Sequence, residues 1–135
     1  MALPNGAGGY QVGDGNRNEP YLGYGNAPQT ATSTATLTAA QITGGMLHAN
    51  PSTSAATYTL PTAAQIDAAV PSATVGSTFD LSIINVGTSS GTVTLSMGTG
   101  ITDGGNAAVA VAITSSATFR FRKTGEGAWT VYKKA

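Results

Sequence analysis

The chain has 135 residues, a single-domain length, and only 9% of them are charged, against about 25% in ordinary globular proteins. Six basic residues balance six acidic ones, so no overall field draws the protein to nucleic acid, an anionic membrane or an acidic substrate. Cysteine is absent, which excludes disulfides, thiolate catalysis and cysteine metal sites. With 41% hydrophobic residues the composition is not that of a disordered chain, and its surface must be Thr, Ser, Asn and Gly rather than Lys and Glu. Surfaces that neutral tend to associate, which favours a protein that lives in an assembly. Met1–Gly9 lacks the basic and apolar regions of a secretory signal, and no apolar run approaches the roughly 20 residues of a membrane helix. The expectation is a soluble product made in the cytoplasm.

Residues 1–30 hold seven Gly, three Pro (Pro4, Pro20, Pro28) and three of the five tyrosines. Gly and Pro at that density forbid helix and central strand, yet a flexible linker would not carry Tyr10, Tyr21, Leu22 and Tyr24. Tyrosines in a glycine-rich arm offer large amphipathic contacts with little side-chain entropy to lose. The segment is expected to be an extended arm that orders against another surface, and residues 31–135 the body.

From Thr30 the composition changes. Thr32–Leu37 alternates weakly and reads as a strand, and Thr38-Ala-Ala-Gln-Ile42 as one helical turn capped by Thr38. Met46–Ala49 and Ala55–Leu60 read as short strands. Thr62 and Gln65 then form a capping box for the one convincing short helix, with Ile66 and Val70 on its apolar face and Pro71 as its stop.

Ser77–Asn85 places Phe79, Leu81 and Ile83 on one side and Asp80 and Ser82 on the other. Gly91–Met97 repeats the alternation with Val93, Leu95 and Met97, and the Gly87–Gly91 turn between them predicts an antiparallel hairpin. Gly98–Asn106 reads as a loop. Ala107–Ile113 is expected to be a strand with Val109, Val111 and Ile113 inward. In Ala117–Lys123, Ala117, Phe119 and Phe121 share one face and Arg120 and Arg122 the other, and Ala128–Tyr132 turns Trp129 and Val131 inward. About eight short strands separated by turns predict a mainly β fold, an antiparallel β-sandwich or small barrel with one short helix.

Few residues suggest chemistry. Gly87-Thr-Ser89-Ser-Gly91 matches the G-x-S-x-G nucleophile elbow, but that motif needs a following helix and a later histidine. Here a strand follows and the single histidine, His48, comes earlier, so the reading is a loop. Asp14-Gly-Asn16-Arg-Asn18-Glu19 follows the start of a calcium loop but puts Glu19 and Gly25 where an EF-hand needs Gly and Glu; it reads as turn chemistry. His48 reads as a half-buried strand residue. Arg120, Arg122, Lys123, Lys133 and Lys134 form the one basic cluster, expected to be a solvated face or a salt-bridged subunit contact. No enzyme activity and no cofactor is expected.

Four stretches, Thr36-Leu-Thr-Ala-Ala-Gln-Ile42, Ala55-Ala-Thr-Tyr-Thr-Leu-Pro-Thr62, Val75-Gly-Ser-Thr-Phe-Asp-Leu-Ser-Ile-Ile-Asn85 and Gly91-Thr-Val-Thr-Leu95, resemble the small head decoration (cement) and head-fibre-like proteins of tailed bacteriophages. The opening Pro4–Asn16 resembles the N-terminal arm of the same group. The resemblance implies a β-rich body sitting as a homotrimer on the outer capsid surface of the virion, an arm reaching along the shell, and the major capsid protein as partner, with neither nucleic acid nor membrane involved. It supplies no residue-by-residue map. The candidate capsid-binding residues are therefore those of the arm, Tyr10, Asp14, Arg17, Glu19, Tyr21, Leu22 and Tyr24, and the candidate subunit contacts are Arg120, Arg122 and Lys123. The alternative is a head- or tail-fibre module that binds a host-surface glycan through Tyr58 or Tyr132.

Overall fold

A computed structural model describes residues 25–135. The arm residues up to Tyr24 lie outside the described residues. Strand β1 (Gln29–Ala31) and β2 (Ala35–Thr36) lead to helix α1 (Ala39–Thr43). Strands β3 (Met46–Ala49) and β4 (Ala56–Thr59) lead to α2 (Ala63–Ala69), and β5 (Thr78–Asn85) and β6 (Val93–Ser96) follow. The chain closes with β7 (Ile101–Gly105), β8 (Ser115–Gly125) and β9 (Ala128–Lys133).

The fold is mainly β and sandwich-like, as expected, but its pairing is mixed rather than all antiparallel. One sheet has six strands in the order β1-β3-β5-β8-β9-β7 and the other three in the order β2-β4-β6. Strands β1, β3 and β5 are parallel neighbours in the first sheet, and β2, β4 and β6 in the second. The chain thus winds in successive coils, visiting one sheet, crossing to the other and returning. A helix makes the return from the first two coils, and α1 packs beside α2. The β8–β9 hairpin then extends the first sheet antiparallel from β5, with β7 at its far edge.

The predicted central hairpin does not exist. Strand β5 pairs with β3 and β8, and β6 pairs with β4 in the opposite sheet. Both alternate because both line the same core from different sheets: Leu81, Ile83, Val93 and Leu95 belong to one buried cluster. The segment between them is a corner. At Gly87 a Cβ would strike the Gly91 carbonyl oxygen, and at Gly91 one would strike the Ser52 carbonyl oxygen. Buried Asn85 holds the corner. Its Nδ2 donates to the carbonyls of Gly91 (2.9 Å), Val111 (3.1 Å) and Ala112 (3.1 Å), and its Oδ1 accepts from the Gly87 N–H (2.8 Å).

Three further expectations are corrected. Two helices form among the described residues, because Thr38 and Gln41 build a complete capping box just as Thr62 and Gln65 do. The Gly98–Asn106 loop contains β7, an edge strand with a bulge between Asp103 and Gly105; its glycines fit because the Tyr132 ring lies over Gly104. Ala107–Ile113 is not a strand. The Asp103 carboxylate accepts the N–H groups of Gly105, Ala107 and Ala108, curling the chain so that Val109 is 52% exposed and only Val111 bridges to Val93. Phe119, Phe121, Trp129 and Tyr58 are the largest fully buried side chains, so aromatic burial carries a core otherwise rich in alanine.

Candidate functional site

Part of the expected basic face forms on the outer side of β5, β8 and β9, where strand alternation turns alternate residues to solvent; Lys133, in register with buried Phe119, instead directs its amine to the Val109 and Ala110 carbonyls. Asp80 pairs in register with Arg120, and Arg120 with Tyr132. The Arg120 guanidinium binds Asp80 through both carboxylate oxygens, Nε to Oδ1 at 2.8 Å and Nη2 to Oδ2 at 3.1 Å. Lys134 adds a third contact at 3.1 Å. The Arg120 hydrogen bonds first, and then Lys134, lower the Asp80 pKa to about 2. Arg122, exposed and two residues on in β8, shares this face.

Lys123 does not belong there. It is only 4% exposed and its amine is used inside the protomer, so it cannot serve as a subunit contact. Nζ lies 3.0 Å from Asp67 Oδ1 on α2, 3.3 Å from Glu126 Oε1 and 3.3 Å from the Ala73 carbonyl. The Asp67 carboxylate also accepts the Gly127 N–H and the Trp129 indole N–H, each at 2.8 Å. The Gly127 and Trp129 bonds, ahead of Lys123 itself, hold its pKa below the usual carboxylate range, while the Asp67 hydrogen bond raises that of Lys123. This cluster, absent from the expectations, ties α2 to the β8–β9 hairpin. Its signal was in the sequence: Lys123 continues the inward phase of Ala117, Phe119 and Phe121, and a lysine there needs an acid brought from elsewhere.

The remaining candidates separate. Ser89 is exposed in the corner, with φ 58°, and β6 follows it. His48 is half-buried on β3. Among the described residues no three His, Asp or Glu side chains gather as a metal site. Tyr58 is fully buried, its hydroxyl donating to the Thr32 carbonyl at 2.7 Å, which removes it as a glycan platform and leaves Tyr132 alone at 37% exposure. Two open depressions lie at the end of β5, lined by Ile84, Asn85, Val86, Thr114, Ser115 and Ser116, and beside the C-terminus, lined by Asn106, Val109, Lys133 and Lys134. Tyr10, Asp14, Arg17, Glu19, Tyr21, Leu22 and Tyr24 lie outside the described residues. Comparison of the chain with protein families, curated proteins and solved structures finds no match.

Proposed function

We propose that the chain is a capsid decoration (cement) protein that binds the outer surface of a tailed-phage head as a homotrimer and stabilises the shell. The observation that carries the reading is how charge is spent. Lys123 neutralises Asp67 inside the protomer and Arg120 with Lys134 neutralises Asp80 on its face, so the remaining surface is dominated by Thr, Ser and Ala and suits packing against copies of itself and a shell. The stretches that carry the resemblance to decoration proteins lie in the stacked coils: Thr36–Ile42 spans the β2–α1 step, Ala55–Thr62 the β4–α2 step, and Val75–Leu95 the β5–β6 coil. The partners are the major capsid protein and other copies of the chain, and the arm tyrosines supply contact area repeated across a lattice, where many weak copies gain by multivalency.

The test is the composition of intact virions. The chain is expected in purified, nuclease-treated particles at a copy number comparable with the major shell protein, and accessible to surface labelling. Recovery only in the soluble lysate, or at a few copies per particle, sinks the decoration reading, and the low copy number would direct attention to a fibre.

A further inference from the structure

The Lys123 cluster holds the parts of a condensation reaction. A primary amine lies 3.0 Å from an oxygen of one carboxyl group, on another element, and 3.3 Å from a second. The first carboxyl is fixed at both oxygens by the Trp129 and Gly127 N–H groups. The second belongs to Glu126, whose side chain is 92% exposed. Trp129, which donates to Asp67, meets Phe79 edge-on at 5.4 Å, and Phe79 stacks on Phe121 at 4.8 Å.

We infer that Lys123 and Asp67 join in an intramolecular isopeptide bond, with Glu126 carrying one of the two protons that leave the nitrogen. The ammonium first gives one proton to the Asp67 carboxylate, leaving a free amine beside a carboxylic acid. The Nζ lone pair forms a bond to Cγ while the carbonyl electron pair moves onto oxygen, where an N–H donor already in place stabilises it. Glu126 takes a second proton from the nitrogen and passes it to the hydroxyl. The C–O bond breaks, the carbonyl re-forms and one water leaves by the exposed side of Glu126. Nothing is oxidised or reduced. Fixed placement replaces chemical activation, since well-oriented intramolecular reactions reach effective molarities of roughly 10⁵–10⁸ M. The resting state is the ion pair, held by the N–H donors that later serve the oxyanion, so conversion is slow. The product is a covalent strut between α2 and β8 in a chain that has no cysteine.

Intact mass spectrometry of the full chain, fresh and after prolonged storage at neutral pH, tests this. The expected mass is one water below that of the sequence, and digestion is expected to yield a branched peptide joining the segments that contain Asp67 and Lys123. Cyclisation at Asp14-Gly15 or Asp103-Gly104 loses the same water, so Lys123→Arg supplies the control and is expected to restore the full mass. Glu126→Gln is expected to slow the loss; an unchanged rate overturns the proton-carrying role. The full sequence mass in every stored sample, a water loss that survives Lys123→Arg, or a digest that places it on an Asp-Gly pair overturns the bond itself.

Discussion

Asn85 shows how one side chain decides where the chain goes. Its amide satisfies three carbonyls and one N–H at the corner between the two sheets, and removing one partner of a buried hydrogen bond leaves the others to bear the desolvation cost. Asn85→Ala is expected to destabilise by at least about 1–3 kcal/mol, read as a lower urea midpoint at unchanged slope. Asp80 gives a prediction in pH. Its folded pKa of about 2 lies below the ordinary 3.8, so the unfolded chain binds the proton first. The stabilisation is therefore complete above pH 3.8 and disappears as the pH falls toward 2. Because Asp80 is 38% exposed, screening limits the contribution to about 1 kcal/mol or less. Asp80→Asn is expected to flatten the acid limb of a stability–pH curve measured at low salt, and an unaltered limb counts against it. Asp103, held down first by the Ala107 N–H, acts in the same direction and keeps part of that limb. Alternation put Asp80 and Arg120 each on the outer side of its own strand, but their pairing was not legible, because it depends on β5 lying beside β8. Residue-level reading missed the Asp67–Lys123 pair, because nothing in local spacing brings a helix acid to a strand lysine.

At the scale of elements, the two helices are the same device used twice. Thr38-Ala-Ala-Gln-Ile42 and Thr62-Ala-Ala-Gln-Ile66 are one pentapeptide repeated, each with a reciprocal capping box and a fully buried isoleucine. Helices this short do not stand alone, so cap and anchor must both contribute. Thr62→Ala is expected to cost about 1 kcal/mol and Ile66→Ala about 2–5 kcal/mol in chemical denaturation, with the ranking itself the check: a cap that outweighs the anchor contradicts this account. The repeat was the one sequence signal that could have revealed the coils. Strand positions and inward faces were legible for β3, β4, β5, β8 and β9, since period-two burial is local. Pairing was not, because β5 and β6 alternate identically whether they lie side by side or face each other across a core. The corner glycines, Gly87 and Gly91, looked like hairpin punctuation for the same reason.

For the whole molecule, the coil stack turns the arm into a separable question. In a stacked architecture each layer contacts mainly its neighbours, and β1, the first strand of the stack among the described residues, begins at Gln29. The Thr30 carbonyl of β1 accepts the Gln41 side-chain amide at 2.8 Å, and the Thr32 carbonyl just beyond β1 accepts the Tyr58 hydroxyl, so side chains of the body occupy both. Those two carbonyls need no partner from residues before Gln29. Were the proposed arm to order against a shell, it would do so at a cost of about 1–2 kcal/mol per residue, which Tyr10, Tyr21, Leu22 and Tyr24 would have to offset by burial there. Deleting residues 2–28 is accordingly expected to leave the circular dichroism spectrum and cooperative melting of the body intact while abolishing co-sedimentation with phage heads that lack the protein. Full occupancy of those heads by the truncated chain would move the adhesive surface onto the body, with the outer face of β5, β8 and β9 as its first location. Loss of cooperative melting would mean instead that the leading residues complete the chain's own stack, and the arm would have no part in holding the shell.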